Sequence, residues 1–154
     1  MLDCCGDVCR SEVMDQREAY IHIRSNKLYI TGLSSTPFSG WIVCGPVRAS
    51  ERDDPNLSSI VLNALSQSKH LDATGKEALA LVSKEILAAA KVRSWKEFSR
   101  NSKYVDVSDN GGTLSLRPSI ADPTFETIGK NFIEGSLDAD TLPELLIRAI
   151  DLAE

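Results

Sequence analysis

The sequence predicts an α+β fold: a single domain with a mostly antiparallel mixed sheet and helices packed on it, in the order β-β-β-α-α-α-β-β-β-α. Three observations carry this prediction. The apolar spacing alternates between the period of a strand and that of a helix, with strand-like stretches on both sides of a helical middle. Tight-turn residues stand at Ser25-Asn26 and at Asp109-Asn110-Gly111-Gly112, between alternating runs. A helix-shaped segment occurs twice: Asn56 to Leu65 aligns without a gap on Thr141 to Ile150, at an offset of 85 residues.

Each element follows from its residues. Glu18 to Arg24 and Lys27 to Leu33 alternate apolar with polar around the Ser25-Asn26 turn, which is a β-hairpin. Turn-forming residues from Ser34 to Gly40 interrupt it, and Trp41-Ile42-Val43-Cys44 offers a short third strand. Asp53-Asp54-Pro55 is expected to open the first helix, with acids at its positive end and proline near the first turn. The composition of Lys76 to Val92 favours a long second helix, and Ser94-Trp95-Lys96-Glu97 reads as a capping box opening a short third one. Tyr104 to Val107 and Thr113 to Leu116 form a second hairpin, ended by Pro118. Ile128 to Gly135 supplies one more short strand, and Leu142 to Leu152 the last helix.

At 154 residues, with 42% hydrophobic and 25% charged positions, the chain suits one domain with a real core, assigned to residues 14–154. Residues 1–13 read as a disordered leader outside it, leaving Met1 and Met14 as alternative starts. The start carries early acids and no apolar h-region, so a cytoplasmic address is expected. No apolar run approaches the roughly 20 residues of a membrane span. Cys4, Cys5 and Cys9 are crowded together, unlike a secreted disulfide framework, and with Cys44 or His22 they match no known zinc spacing. The net charge of −5 is uneven: residues 55–119 are net basic, and residues 120–154 hold two basic against eight acidic side chains. That acidic pole repels nucleic acid and anionic membrane and steers a basic partner toward it; a solvated, solubilising surface is the plainer alternative.

Residue chemistry names no reaction. His22 and His70 lack a nucleophile beside them in sequence, and each reads as a structural or an exposed histidine. Asp106 and Asp109 lie near a strand end without the acid-x-Lys pair of a metal-dependent nuclease, so the first reads as a strand carboxylate on the solvent face and the second as a turn former. Gly111-Gly112 has no Lys-Ser/Thr after it and is a turn rather than a phosphate loop. The helical lysines interleave with Glu77, Glu85 and Glu97, as on a solvated helix face.

The run from Ser94-Trp95-Lys96-Glu97-Phe98 through Asp109-Asn110-Gly111-Gly112-Thr113 to Pro118 resembles the middle of the immunity proteins of contact-dependent growth inhibition systems, the CdiI type. The order of parts is also similar: an opening hairpin, a first helix closing on Leu62-Asn63-Ala64-Leu65, and a second such helix at the C-terminus, over roughly Glu18 to Ala153. The resemblance implies a non-enzymatic bacterial protein that binds the C-terminal toxin domain of a CdiA protein, often a nuclease, and blocks its active site. It implies no cofactor, metal, nucleic acid or membrane as partner. Charge and loop position point to Asp122, Glu126, Glu134, Asp138 and Asp140 as toxin contacts, with Trp41 and Phe125 as apolar anchors. Two other classes fit the same residues: an adaptor or regulatory module binding another basic protein, and a metal-dependent hydrolase using Asp106 and its neighbours.

Overall fold

The computed structural model describes residues 16–37, 40–71, 76–100, 102–119, 133–136 and 140–153. The expected leader, its three cysteines, and Asp122, Phe125, Glu126 and Asp138 lie outside them. The described strands are β1 (Gln16–Arg24), β2 (Lys27–Thr36), β3 (Gly40–Glu51), β4 (Lys103–Asn110), β5 (Thr113–Pro118) and β6 (Ile133–Ser136). Three helices, α1 (Leu57–Ser66), α2 (Lys76–Ala90) and α3 (Trp95–Arg100), separate β3 from β4, and α4 (Leu142–Leu152) follows β6. The strands form one sheet in the order β3-β2-β1-β4-β5-β6, with every neighbouring pair antiparallel. The α+β expectation therefore holds, with antiparallel pairing throughout the described strands and a parallel contact as an isolated bridge between Ser35 and His70.

Local chemistry accounts for where elements start and stop. Ser25 and Asn26 take φ of 51° and 65°, and Gly111 and Gly112 take 62° and 95°, as two-residue hairpin turns require. β3 is longer than the expected Trp41 to Cys44 and continues to Glu51. As an edge strand it tolerates Pro46, and a register shift opposite Ile30 to Gly32 absorbs the extra residues. α1 begins at Leu57 rather than at the acids, because the Asp54 carboxylate accepts the Ser50 hydroxyl at 2.7 Å and the Asn56 N–H at 2.8 Å and holds a turn there. α2 ends at Ala90, short of Val92. Lys91 turns left-handed at φ 58°, Val92 N–H donates to Leu87 C=O at 3.1 Å and Lys91 N–H to Ala88 C=O at 3.2 Å, a Schellman motif without its usual glycine. At α3, Glu97 N–H donates to Ser94 Oγ at 3.1 Å, while the Glu97 carboxylate accepts Arg93 N–H at 3.2 Å, one residue outside a standard capping box.

The repeated helix proves to be part of a larger repetition. β1-β2-β3-α1 and β4-β5-β6-α4 are each a three-stranded meander followed by a helix, and β1 and β4 pair antiparallel at the centre of the sheet. Buried residues Leu57, Val61, Ala64 and Leu65 of α1 match Leu142, Leu146, Ala149 and Ile150 of α4 at an offset of 85. Core-facing Ala19, Ile21, Leu28 and Ile30 match Val105, Val107, Leu114 and Leu116 at an offset of 86. Tyr20 pairs directly with Asp106, its counterpart at that same offset, so a pseudo-twofold axis passes between these two residues.

The two sheet faces are covered differently. α1 and α4 lie on the face carrying Ala19, Ile21, Leu28, Ile30, Val105, Val107, Leu114 and Leu116, and the main core forms between them. Close approach is needed here: a Cβ on Gly32 would stand 2.5 Å from the Ala64 carbonyl oxygen of α1. On the opposite face, Val82 and Ile86 of α2 and Phe98 of α3 pack on Tyr29 of β2, with Val43 and Val47 of β3 at the margin. That second layer covers the first meander. Over the second meander the outer positions are polar: Asp106, Ser108, Ser115, Arg117 and Glu134.

Candidate partner-binding face

The outer face of β1 and β4, beside the end of α3, gathers the chemically distinctive side chains around the pseudo-twofold axis. Register places three rows side by side. Thr31, Tyr20, Asp106 and Arg117 form one row across β2, β1, β4 and β5. Leu33, Glu18, Ser108, Ser115 and Glu134 form the next, reaching β6. Tyr29, His22 and Tyr104 form the third. Alternation along each strand puts all of these on the side away from the main core.

Rings dominate one end of the patch. The Tyr20 ring stands 5.7 Å from that of Tyr104 and 5.7 Å from His22, which also meets Phe98 at 5.5 Å and Trp95 at 6.0 Å between centroids. Tyr104 is 42% and Trp95 43% exposed. Two large rings so close to buried neighbours and still open to solvent are suited to anchor a partner.

Carboxylates occupy the other end. Glu18 accepts the Ser108 hydroxyl at 3.2 Å, yet burial first and the Asp106 charge second hold it above the ordinary carboxylate range. Burial also raises Asp106, against the lowering effect of Arg117. Tyr20 is pushed up to about 12, by burial first and then by Asp106, Tyr104 and Glu18. His22 is lowered to about 4 by burial alone, so it is neutral at pH 7. His22 Nε2, Thr31 Oγ1 and Asp106 Oδ1 are buried without a hydrogen-bond partner, and all three belong to residues next to Tyr20 on this face. Buried polar atoms are nearly always satisfied, so three of them together single out the surroundings of Tyr20 on this sheet.

Of the residues singled out from sequence, Glu134 is exposed on β6, at the edge of this face. Asp140 is exposed just before α4. Trp41 is half-buried within β3, paired with Ser35 rather than carried on a loop. Among the described strands Glu134 and Trp41 stand at opposite edges of the sheet, five strand spacings or about 24 Å apart. Asp106 is half-buried rather than a fully solvated strand carboxylate. It is three residues from Asp109, which therefore faces the main core, is 1% exposed, and receives Arg17 Nε–H at 3.0 Å and Gly112 N–H at 2.9 Å. These two acids point to opposite sides of the sheet and cannot share a cation. Glu18, Tyr20 and Tyr104 join the face only through strand pairing and carry no functional motif in the sequence. The signal in the sequence is local: Glu18, Tyr20, Tyr104 and Asp106 take the outward positions beside inward Ala19, Ile21, Val105 and Val107.

Among the described residues no helix is long and apolar enough to cross a membrane. No family of known proteins and no curated protein matches the sequence. Solved structures do share the fold. A protein of unknown function from Neisseria meningitidis matches with a TM-score of 0.66 and 19% identity, over 89% of this chain and 92% of that chain. A chain from a CdiA-CT/CdiI toxin and immunity complex of Yersinia pseudotuberculosis matches with a TM-score of 0.65 and 14% identity, over 90% of this chain and 95% of that chain.

Proposed function

We propose that this chain is an immunity protein that binds the C-terminal toxin domain of a cognate CdiA protein in the bacterial cytoplasm and occludes its active site, performing no turnover itself. The observation that carries the reading is the fold shared, almost end to end, with a chain of a toxin and immunity complex. The outer face of β1 and β4 supports it independently: open rings beside incompletely compensated carboxylates suit a basic protein surface, and a nuclease must present one to its phosphates. Glu134 extends the same face, and Asp122, Glu126, Asp138 and Asp140 add acidic charge to the molecule as further proposed contacts.

Co-expression with the polypeptide encoded immediately upstream tests this. The chain should rescue growth, co-purify, and titrate the toxin's activity to zero at one equivalent. Complete protection at a small fraction of an equivalent would instead identify a catalyst, and capture of a non-toxic basic protein an adaptor.

A further inference from the structure

We propose that the outer face at the pseudo-twofold axis is an arginine-docking site, in which a guanidinium group from the bound partner lies against the Tyr20 and Tyr104 rings and takes the Glu18 and Asp106 carboxylates. This deepens the immunity reading and rests on it. Geometry supplies the parts. Tyr20 and Asp106 are direct partners across β1 and β4, Glu18 and Ser108 form the adjacent pair, and Tyr104 lies opposite His22 on the other side. Among the described residues Arg117 is the cation set against these two carboxylates, so the negative charge on this half-buried surface is incompletely compensated.

The second line of support is the kind of atom left without a partner. Asp106 Oδ1 only accepts, while the neutral His22 ring and the Thr31 hydroxyl each both donate and accept. His22 is 8% exposed and Thr31 fully buried, so these two are closed to a docked group, which meets half-buried Glu18, Tyr20 and Asp106 and exposed Tyr104 instead. A surface rich in acceptors and negative charge, and bounded by ring faces, complements a group with several donors, positive charge and a flat shape. Guanidinium has all three properties; ammonium lacks the plane that stacks on a ring and bonds two carboxylate oxygens at once.

A matched pair of peptides provides the test: acetyl-Gly-Arg-Gly-amide and the same peptide with uncharged citrulline, each titrated into the isotope-labelled full chain and followed by backbone amide shifts. The arginine peptide should shift Tyr20, Tyr104, Asp106 and Arg117, with the citrulline peptide at least tenfold weaker. The Glu18→Gln/Asp106→Asn double variant, folded by circular dichroism, should lose at least tenfold for arginine. Equal binding of the two peptides, equal binding to the variant, or shifts centred elsewhere would overturn the site. In a parallel arm the double variant is assayed against the upstream-encoded toxin. A tenfold or greater loss of affinity supports docking here, and unchanged affinity overturns it while leaving the immunity reading standing. If the unmodified chain captures no toxin, the immunity reading fails, and the peptide titration still decides the site.

Discussion

His22 shows how one side chain can set the acid response of the fold. Its imidazole is enclosed by Tyr20, Phe98 and Trp95, and burial lowers it to about 4. Unfolded, it takes a proton near pH 6.5; folded, it does not until near pH 4, so its neutral form is compatible with the native state above that window and the native state loses ground as pH falls through it. The shift corresponds to about 3 kcal/mol. Glu18 and Asp106 act in the opposite sense, because a raised carboxylate destabilises the native state above its folded pKa and that penalty fades on acidification. His22→Phe keeps a ring among rings and removes the titration. The gap between variant and parent in urea unfolding should widen in the variant's favour, by about 3 kcal/mol from pH 7 to pH 4; a constant gap would clear the histidine. Asp109 shows the limit of reading a residue from its neighbours: it looks like a turn former, and it is one, but it also stands in the core position corresponding to Ile23 and carries a buried charge paired with Arg17. Asp109→Ala, which removes the acceptor of the Gly112 N–H and of partly exposed Arg17, should cost about 1–3 kcal/mol. Asp151→Ala, which breaks the solvent-exposed pair with Arg52, should cost less than about 1 kcal/mol in the same denaturation assay.

Helices and hairpins were legible in sequence because their causes are local. A two-residue turn, an alternating run or an amphipathic period needs no knowledge of what lies across the sheet, and α4 begins and ends where its pattern does. The full length of β3 is not legible in sequence because Pro46 and the bulge break its alternation, and its place at the sheet edge makes those breaks harmless. The end of α2 is not legible in sequence because its stop is a left-handed lysine, which carries no sequence signal. That lysine is a correctable flaw: Lys91→Gly should stabilise the chain by about 1 kcal/mol, since glycine adopts that φ without a Cβ penalty. Thermal and urea unfolding measure it, and a loss of stability would mean that Lys91 holds the cap through its side chain. The binding face was the least legible part. Tyr20 and Asp106 are 86 residues apart in sequence, and only the non-local pairing of β1 with β4 makes them neighbours.

At the scale of the molecule, two similar halves share one core, and an inserted helical pair makes them unlike on the outside. α2 and α3 cover the outer face of the first meander with Val82, Ile86 and Phe98, whereas the second meander has Ser115 and Arg117 where the first has Tyr29 and Thr31. The asymmetry leaves the axis itself at the boundary between the strands that α2 and α3 cover and the strands whose outer positions are polar, which is where the rings and carboxylates meet. Repetition raises the question of whether the halves unfold separately. β1 and β4 are joined by eight register pairs, and α1 and α4 contribute to the same core cluster, so neither half can expose its inner face without exposing the other's. Leu146→Ala in α4 should therefore destabilise the whole molecule by about 2–5 kcal/mol, and Val61→Ala, its counterpart in α1, by less in proportion to the smaller volume removed. Both should lower the midpoint of one transition that is the same by tryptophan fluorescence, which samples Trp41 and Trp95 in the first half and the insertion, and by far-ultraviolet circular dichroism, which samples all elements. Two separable transitions, with Leu146→Ala shifting only the one invisible to the tryptophans, would show instead that the halves are independent folding units and that the central strand pair is merely a contact between them.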